Sequence, residues 1–141
     1  MIVVKRPSKK ISSVMGKVYP ELSLLAIEEE FCMDVFSLDE MIRGWFVGGF
    51  EPTIYKTTDV EVALQKFKTG DYEESHCHKI ATEITVIVSG KAEMKGEVYG
   101  EGSIIRINPG EYTDFKALED TVTAVVKLPG VLNDKYLEKE S

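Results

Sequence analysis

Cysteine is scarce in this chain, and so are long apolar runs. Cys32 and Cys77 are the two cysteines among 141 residues, which is too few for a disulfide framework. We therefore expect both to be reduced thiols in a cytoplasmic protein. No apolar run approaches the roughly 18 residues needed to span a bilayer. The first four residues form a short apolar run that precedes its charges, which is the wrong order for a signal peptide.

Positive charge is also in deficit. Lys and Arg number 17 against 24 Asp and Glu, giving a formal net charge of −7 at pH 7. Because such a surface repels phosphate backbones and anionic lipid, we expect neither a nucleic-acid nor a membrane partner. With 43% hydrophobic residues and no Pro, Gly or Ser-rich linker, the composition is that of one soluble domain, residues 1–141.

Short runs rich in Val, Ile and Thr alternate with turn residues in the second half of the chain. Each run is followed by a turn signal that contains Gly, Pro, Asp, Asn or Ser, and the runs are residues 60–67, 83–88, 104–107 and 121–127. This spacing predicts an all-β sandwich or barrel and argues against a parallel α/β sheet. The first half is less regular, since residues 22–31 fit a short amphipathic helix and, nearly as well, a strand pair.

The chain contains two histidines, and they are two residues apart. In a strand, His76 and His78 would point to the same face, with Cys77 directed to the opposite one. Glu83 follows on the next predicted strand, so two imidazoles and a carboxylate could converge and hold a divalent transition metal. On the spacing alone, a polar strand face with two surface histidines stays open as the alternative.

A wider pattern surrounds these three residues. Gly70, His76, His78, Glu83 and Gly90 are spaced as in the first motif of the cupin superfamily, which this segment resembles. Residues 102–113 resemble the second cupin motif, with both of its glycines, Gly102 and Gly110. The resemblance covers residues 60–127 and implies a double-stranded antiparallel β-barrel, jelly-roll-like, whose site lies in the barrel mouth. Residues 1–55 would then form an N-terminal extension of the barrel core.

The second motif departs from the cupin pattern at one important position. Thr113 stands where the resemblance implies a third histidine ligand, and Asn108 stands where the family usually has proline. His76, His78 and Glu83 alone would form a two-histidine, one-carboxylate centre, which suits Fe, Mn, Ni or Zn. Asp114 could contribute a further ligand only if a bulge lets Thr113 and Asp114 both point inward.

Other polar residues could line the same pocket. Thr85, Tyr112 and Thr113 are the candidates, and we expect Arg106 and Lys79 to be solvated instead. The interior of such a barrel is a cleft with a few convergent polar groups, which is how small-molecule sites are built.

Three functions remain open from the sequence, and they differ in whether a reaction occurs. The first is a cupin that binds a small polar molecule through the metal, which would act as a Lewis acid or activate dioxygen or water. The second is a metal-free sugar-nucleotide isomerase or epimerase in which His76 or His78 is a catalytic general base, because cupin ketoisomerases carry a similar His-x-His-Lys run. The third is a non-catalytic module that binds or sequesters a small ligand. In each case we expect a homodimer, the commonest closed oligomer.

Overall fold

The computed structural model describes residues 4–5 and 32–138 and divides the chain after Ser37. In the first part, strand β1 (Val4–Lys5) pairs antiparallel with strand β2 (Asp34–Val35), and Val4 lies opposite Val35. The segment 22–31, which fits a helix or a strand pair, lies outside the described residues.

The second part begins with a short 3-10 helix, Leu38–Glu40, and continues as β structure. Its described strands are β3 (Trp45–Val47), β4 (Glu61–Phe67), β5 (Tyr72–His78), β6 (Thr82–Ser89), β7 (Lys91–Met94), β8 (Glu97–Gly100), β9 (Ile104–Ile107), β10 (Thr113–Ala117), β11 (Thr121–Leu128) and β12 (Lys135–Leu137). The prediction of an all-β fold is therefore confirmed. No helix among the described residues is long and apolar enough to cross a membrane.

These strands form two five-stranded antiparallel sheets. The first sheet has the order β12-β5-β10-β7-β8, and the second has the order β3-β4-β11-β6-β9. Each sheet contains neighbours that are distant in sequence, with β5 beside β10 in the first and β4 beside β11 in the second, as in a jelly roll. The jelly-roll architecture is thus also confirmed.

The predicted strand runs correspond closely to observed strands. Residues 104–107 match β9 in full, and the other three runs match β4, β6 and β11 within one residue at each end. Strand propensity located these segments well because each is a run of β-branched and apolar residues bounded by turn residues.

The core lies between the inner faces of the two sheets. Ile87 and Ile107 from the second sheet pack with residues of the first, namely Ala92, Met94, Phe115 and Ala117. The rings of Phe67 and Phe115, also from opposite sheets, have centroids 4.5 Å apart. Burial of these side chains stabilises the sandwich, since each large apolar side chain removed from water contributes about 1.5–3 kcal/mol.

Gly90, the last residue of the cupin-like first motif, makes the turn between β6 and β7 possible. It has a φ of 91°, and a Cβ at this position would clash with the carbonyl oxygen of Asp120. Both the left-handed backbone and the close approach of another segment therefore require glycine here.

Candidate metal centre

Strands β5 and β6 carry the two histidines and the glutamate to one place. His76 and His78 lie on β5, and Glu83 lies just after the turn, near the start of β6. One ligand atom from each of the three residues lies within 4.8 Å of the other two. The strand alternation that predicts a common face for the histidines holds, and the imidazole centroids are 5.4 Å apart. The structure thus brings together all three predicted metal ligands.

Backbone carbonyls keep a proton on Nδ1 of both imidazoles. His78 Nδ1 lies 2.9 Å from the carbonyl oxygen of Asp134, and His76 Nδ1 lies 2.9 Å from that of Glu74. Since a carbonyl can only accept, each Nδ1 must donate its proton. In a neutral imidazole the lone pair is then on Nε2, which is the atom left for a metal.

His78 Nε2 faces the glutamate directly. It lies 2.9 Å from Glu83 Oε2, and the His78 residue is only 4% exposed. A lone pair and a carboxylate oxygen cannot share so short a contact unless a proton or a cation lies between them. The position between His78 and Glu83 is therefore one where positive charge is stabilised.

The local environment favours the protonation states of His76 and Glu83 that can bind a metal. Burial lowers the pKa of His76 below its ordinary value, so this imidazole is neutral near neutral pH. Burial raises the pKa of Glu83. The His78 hydrogen bond and the nearby charges lower this pKa and together outweigh burial, so the net shift is downward. Thr85 Oγ1 also donates to Glu83 Oε1 at 3.1 Å. A neutral imidazole and an ionised carboxylate are the forms that bind metal.

Asp134 supports this site from the C-terminal segment. The residue is 4% exposed, and its carboxylate accepts hydrogen bonds from the backbone N–H groups of Lys79, Ile80 and Ala81 at 2.9 to 3.3 Å. These residues form the turn between His78 and Glu83. Asp134 thus holds the turn by its side chain and orients His78 by its carbonyl. No local sequence pattern marks Asp134 for this role, because its contacts span 53 to 56 residues.

The second motif also contributes to the site through its backbone. The N–H of Gly110 donates to the carbonyl oxygen of His78 at 2.7 Å. This bond links the turn after β9 to the end of β5, so the two cupin-like motifs meet at the histidine. Gly110, which matches the second motif, therefore helps to hold His78 of the first motif in place.

A small cavity of about 30 Å³ adjoins the candidate centre. Its polar lining includes His76, Glu83, Thr85 and Thr113. Two of the three predicted pocket residues, Thr85 and Thr113, therefore line this cavity. Tyr112 does not line this cavity. Its hydroxyl instead shares a hydrogen bond with the Cys77 thiol.

A bulge brings Asp114 to the same cavity. The pairing of β10 with β5 shifts register between Thr113 and Phe115, and Thr113 and Asp114 both line the cavity. Asp114 Oδ1 already accepts the backbone N–H of Lys95 at 2.8 Å, and Thr113 Oγ1 donates to the Asp114 carbonyl. Neither residue belongs to the three-residue cluster of possible ligands.

Two basic residues near the site are solvated, as expected from the sequence. Arg106 is exposed on β9, and Lys79 is exposed after His78, where its Nζ lies 4.0 Å above the ring of Tyr136. Neither directs its charge into the cavity.

Comparison with known proteins gives matches by structure. No protein-family model and no curated protein matches the sequence. A double-stranded β-helix protein from Klebsiella pneumoniae is 24% identical, with a TM-score of 0.56 over 75% of this chain and 92% of that chain. The DMSP lyase DddQ from Ruegeria pomeroyi is 21% identical, with a TM-score of 0.54 over 74% of this chain and 58% of that one.

An oxalate decarboxylase variant from Bacillus subtilis is similar over a smaller part of its length. It is 22% identical, with a TM-score of 0.55 over 72% of this chain and 31% of that one. At these identities the similarity extends to the fold, which can carry many unrelated activities.

Proposed function

Since this chain has the double-stranded β-helix fold of the cupin superfamily, we propose that it binds a divalent transition metal and, at that metal, a small polar molecule. The ligands are His76 Nε2, His78 Nε2 and the carboxylate of Glu83. Fe, Mn, Ni and Zn are the candidate metals, because all of them accept two imidazoles and one carboxylate.

The proposal depends chiefly on the orientation of the histidine rings. Both Nδ1 atoms are bonded to backbone carbonyls, so both Nε2 lone pairs are available, and one of them faces Glu83 at 2.9 Å. A proton between His78 and Glu83 would satisfy one of these lone pairs. A cation between them would also satisfy His76, because its ligand atom lies within the same 4.8 Å cluster.

Three protein ligands leave coordination positions for an exogenous molecule. Structural metal sites are closed by protein ligands, whereas sites that bind substrate keep open positions. A bound metal would supply Lewis acidity at these positions. The side chains of this chain would then orient the incoming molecule: Thr85 holds the Glu83 carboxylate, and Thr113 and the cavity wall limit the size of the ligand.

The alternative of a histidine general base has less support from the same geometry. Without a metal, a proton lies between His78 Nε2 and Glu83, and His78 Nδ1 donates to the Asp134 carbonyl, so neither nitrogen of His78 has a lone pair for a substrate proton. His76 retains a free Nε2. However, the cavity of about 30 Å³ holds roughly two water molecules, which is much smaller than a nucleotide sugar.

Metal content is the test of the proposal. Protein purified without an affinity tag is stripped with chelator and titrated with Mn²⁺, Fe²⁺, Ni²⁺ and Zn²⁺ by calorimetry, with elemental analysis of the recovered complex. We expect one ion per chain. His76→Ala, His78→Ala and Glu83→Gln should each weaken binding at least tenfold, a change that even the loss of a ligand's hydrogen-bond partner can produce.

Glu97→Gln is the matched control, because it makes the same chemical change at an exposed position on β8. It should leave the affinity unchanged, and circular dichroism checks that every variant is folded. Unchanged metal binding in the three ligand variants contradicts the proposal. If the parent protein binds no metal but does bind small polar molecules, the chain is a metal-free binding module.

A further inference from the structure

A row of three charged side chains crosses the second sheet at the level of the candidate metal centre. Lys127 on β11 lies directly opposite Glu61 on β4 and directly opposite Glu83 on β6. Residues opposite each other on neighbouring strands point to the same face of a sheet. Because Glu83 points inward to the candidate metal centre, Lys127 and Glu61 also point inward, and the lysine stands between two carboxylates.

Lys127 forms its ion pair with Glu61 rather than with Glu83. Its Nζ lies 3.7 Å from Glu61 Oε2, and the side chains of Lys127 and Glu61 are 17% and 7% exposed. The same Nζ lies 4.7 Å from the centroid of the Trp45 ring, on β3. Since the strand order is β3-β4-β11-β6, both partners lie on the side of β11 that is away from Glu83. The ammonium group is thus held away from the proposed metal ligand.

Glu83 is the competing partner for Lys127. The Cβ atoms of directly opposed residues are about 4.5–5.5 Å apart, so a lysine side chain can reach the neighbour on either side. Burial raises the pKa of Glu83, and the charge of Lys127 is among the causes that lower it, so the two groups already interact. An ammonium group bonded to Glu83 would occupy the carboxylate that the metal needs, and the metal would have to displace it.

We propose that Glu61 and Trp45 are positioning residues that keep Lys127 away from Glu83 and thereby raise the metal affinity of the site. The inference rests on the proposed metal centre. Glu61 offers Lys127 an ion pair, and the Trp45 ring attracts the ammonium group through its negative face. Neither residue belongs to the cluster of possible metal ligands, so both act through Lys127. A lysine that lies beside a metal ligand in the sheet therefore leaves that ligand available.

A double-mutant cycle on Zn²⁺ affinity, measured by calorimetry, tests the effect on the metal. Glu61→Gln should weaken Zn²⁺ binding about tenfold, because Lys127 then pairs with Glu83 and the ion must displace a charged hydrogen bond. Lys127→Met removes the competitor, so in that background Glu61→Gln should change the affinity less than about twofold. A residue that only supported the fold would weaken binding equally in both backgrounds. Lys116→Met, at an exposed position on β10, is the matched control for Lys127→Met and should leave the affinity unchanged.

Tryptophan fluorescence tests the position of Lys127 in the metal-free protein. Trp45 is the single tryptophan of the chain, and an ammonium group over the indole ring changes its emission. Glu61→Gln should shift the emission maximum from that of the parent, since Lys127 moves from the ring to Glu83. Addition of Glu83→Gln should restore the parent value, because the row then offers Lys127 no carboxylate and the ring remains its partner. These variants replace a carboxylate with an amide of the same shape, so this arm does not depend on the folding of Lys127→Met.

Either assay can overturn the inference. In the cycle, the contradicting results are a Glu61→Gln variant that binds Zn²⁺ as tightly as the parent, or equal losses with and without Lys127. In the fluorescence comparison, they are an emission maximum that Glu61→Gln leaves unchanged, or a shift that persists when Glu83→Gln is added. The outcome is separable from that of the metal proposal. If the parent protein binds no Zn²⁺, the proposed function fails by that measurement, while the fluorescence comparison still decides whether Glu61 holds Lys127 away from Glu83.

Discussion

Replacement of Asp134 by alanine should damage both the stability of the fold and the metal centre. The Asp134 carboxylate accepts the N–H groups of Lys79, Ile80 and Ala81, which together form the turn between His78 and Glu83. Alanine cannot accept these bonds. The turn would then be free to change the distance between the two ligands that it joins.

The expected loss of stability follows from the exposure of the three donors. Ala81 is buried, so its N–H would have no access to water, and this bond contributes about 2–3 kcal/mol. Lys79 and Ile80 are exposed, so water can replace the carboxylate, and each bond contributes about 1 kcal/mol. We therefore expect Asp134→Ala to lower the free energy of unfolding by about 4–5 kcal/mol. Asp134→Asn, which keeps one acceptor oxygen, should lower it by about half as much.

Urea denaturation of parent and variants measures these differences, and Zn²⁺ calorimetry on the folded variants measures the effect on the site. We expect Asp134→Asn to weaken metal binding between about tenfold and a hundredfold, as for other residues that orient ligands. Asp120→Ala is the control: this exposed carboxylate bonds to Thr69 alone, away from the site, and its loss should leave metal affinity unchanged. An Asp134→Ala variant as stable as the parent would refute the reasoning.

Three further predictions concern the turns, acid stability and assembly. Gly90→Ala should destabilise the protein more than Gly70→Ala in urea denaturation, because both glycines have φ near 91° but only Gly90 would place a Cβ against another segment. Hydrogen bonds from Thr69 lower the pKa of Asp120, so its contribution to stability is complete above about pH 4 and is lost as the pH falls through the lowered value. Asp120→Asn should therefore lose less stability than the parent below about pH 4 in pH-dependent denaturation. Light scattering should give the mass of a homodimer; a monomer mass at micromolar concentration would contradict that proposal.

Much of the fold was predictable because local residue patterns determine it. The β-branched runs that became β4, β6, β9 and β11 are bounded by turn residues, and these signals lie within a few positions of each other. Position alternation in a strand was enough to place His76 and His78 on a common face. The strand order of each sheet could not be predicted in the same way, because it depends on pairs of strands that are far apart in the chain.

The features of the site that sequence could not supply are long-range contacts. Asp134 reaches the turn after His78 from more than 50 residues away, and no local pattern marks it. Tyr112 was expected in the pocket, but it does not line this cavity, and its hydroxyl pairs with Cys77 on β5, 35 residues earlier in the chain. Thr123 was one residue in a predicted β run. That its buried hydroxyl has no hydrogen-bond partner in the described part of the chain becomes evident only when its neighbours on β4 and β6 are known.

Nitrogen NMR of the two imidazoles tests the central claim most directly. The chain has two histidines, so selective ¹⁵N-histidine labelling reports on His76 and His78 alone. On addition of one equivalent of Zn²⁺, both Nε2 resonances should shift together while both Nδ1 atoms keep their protons, as the bonds to Glu74 and Asp134 require. A response from one imidazole alone, coordination through Nδ1, or no response in either ring would contradict a shared metal centre.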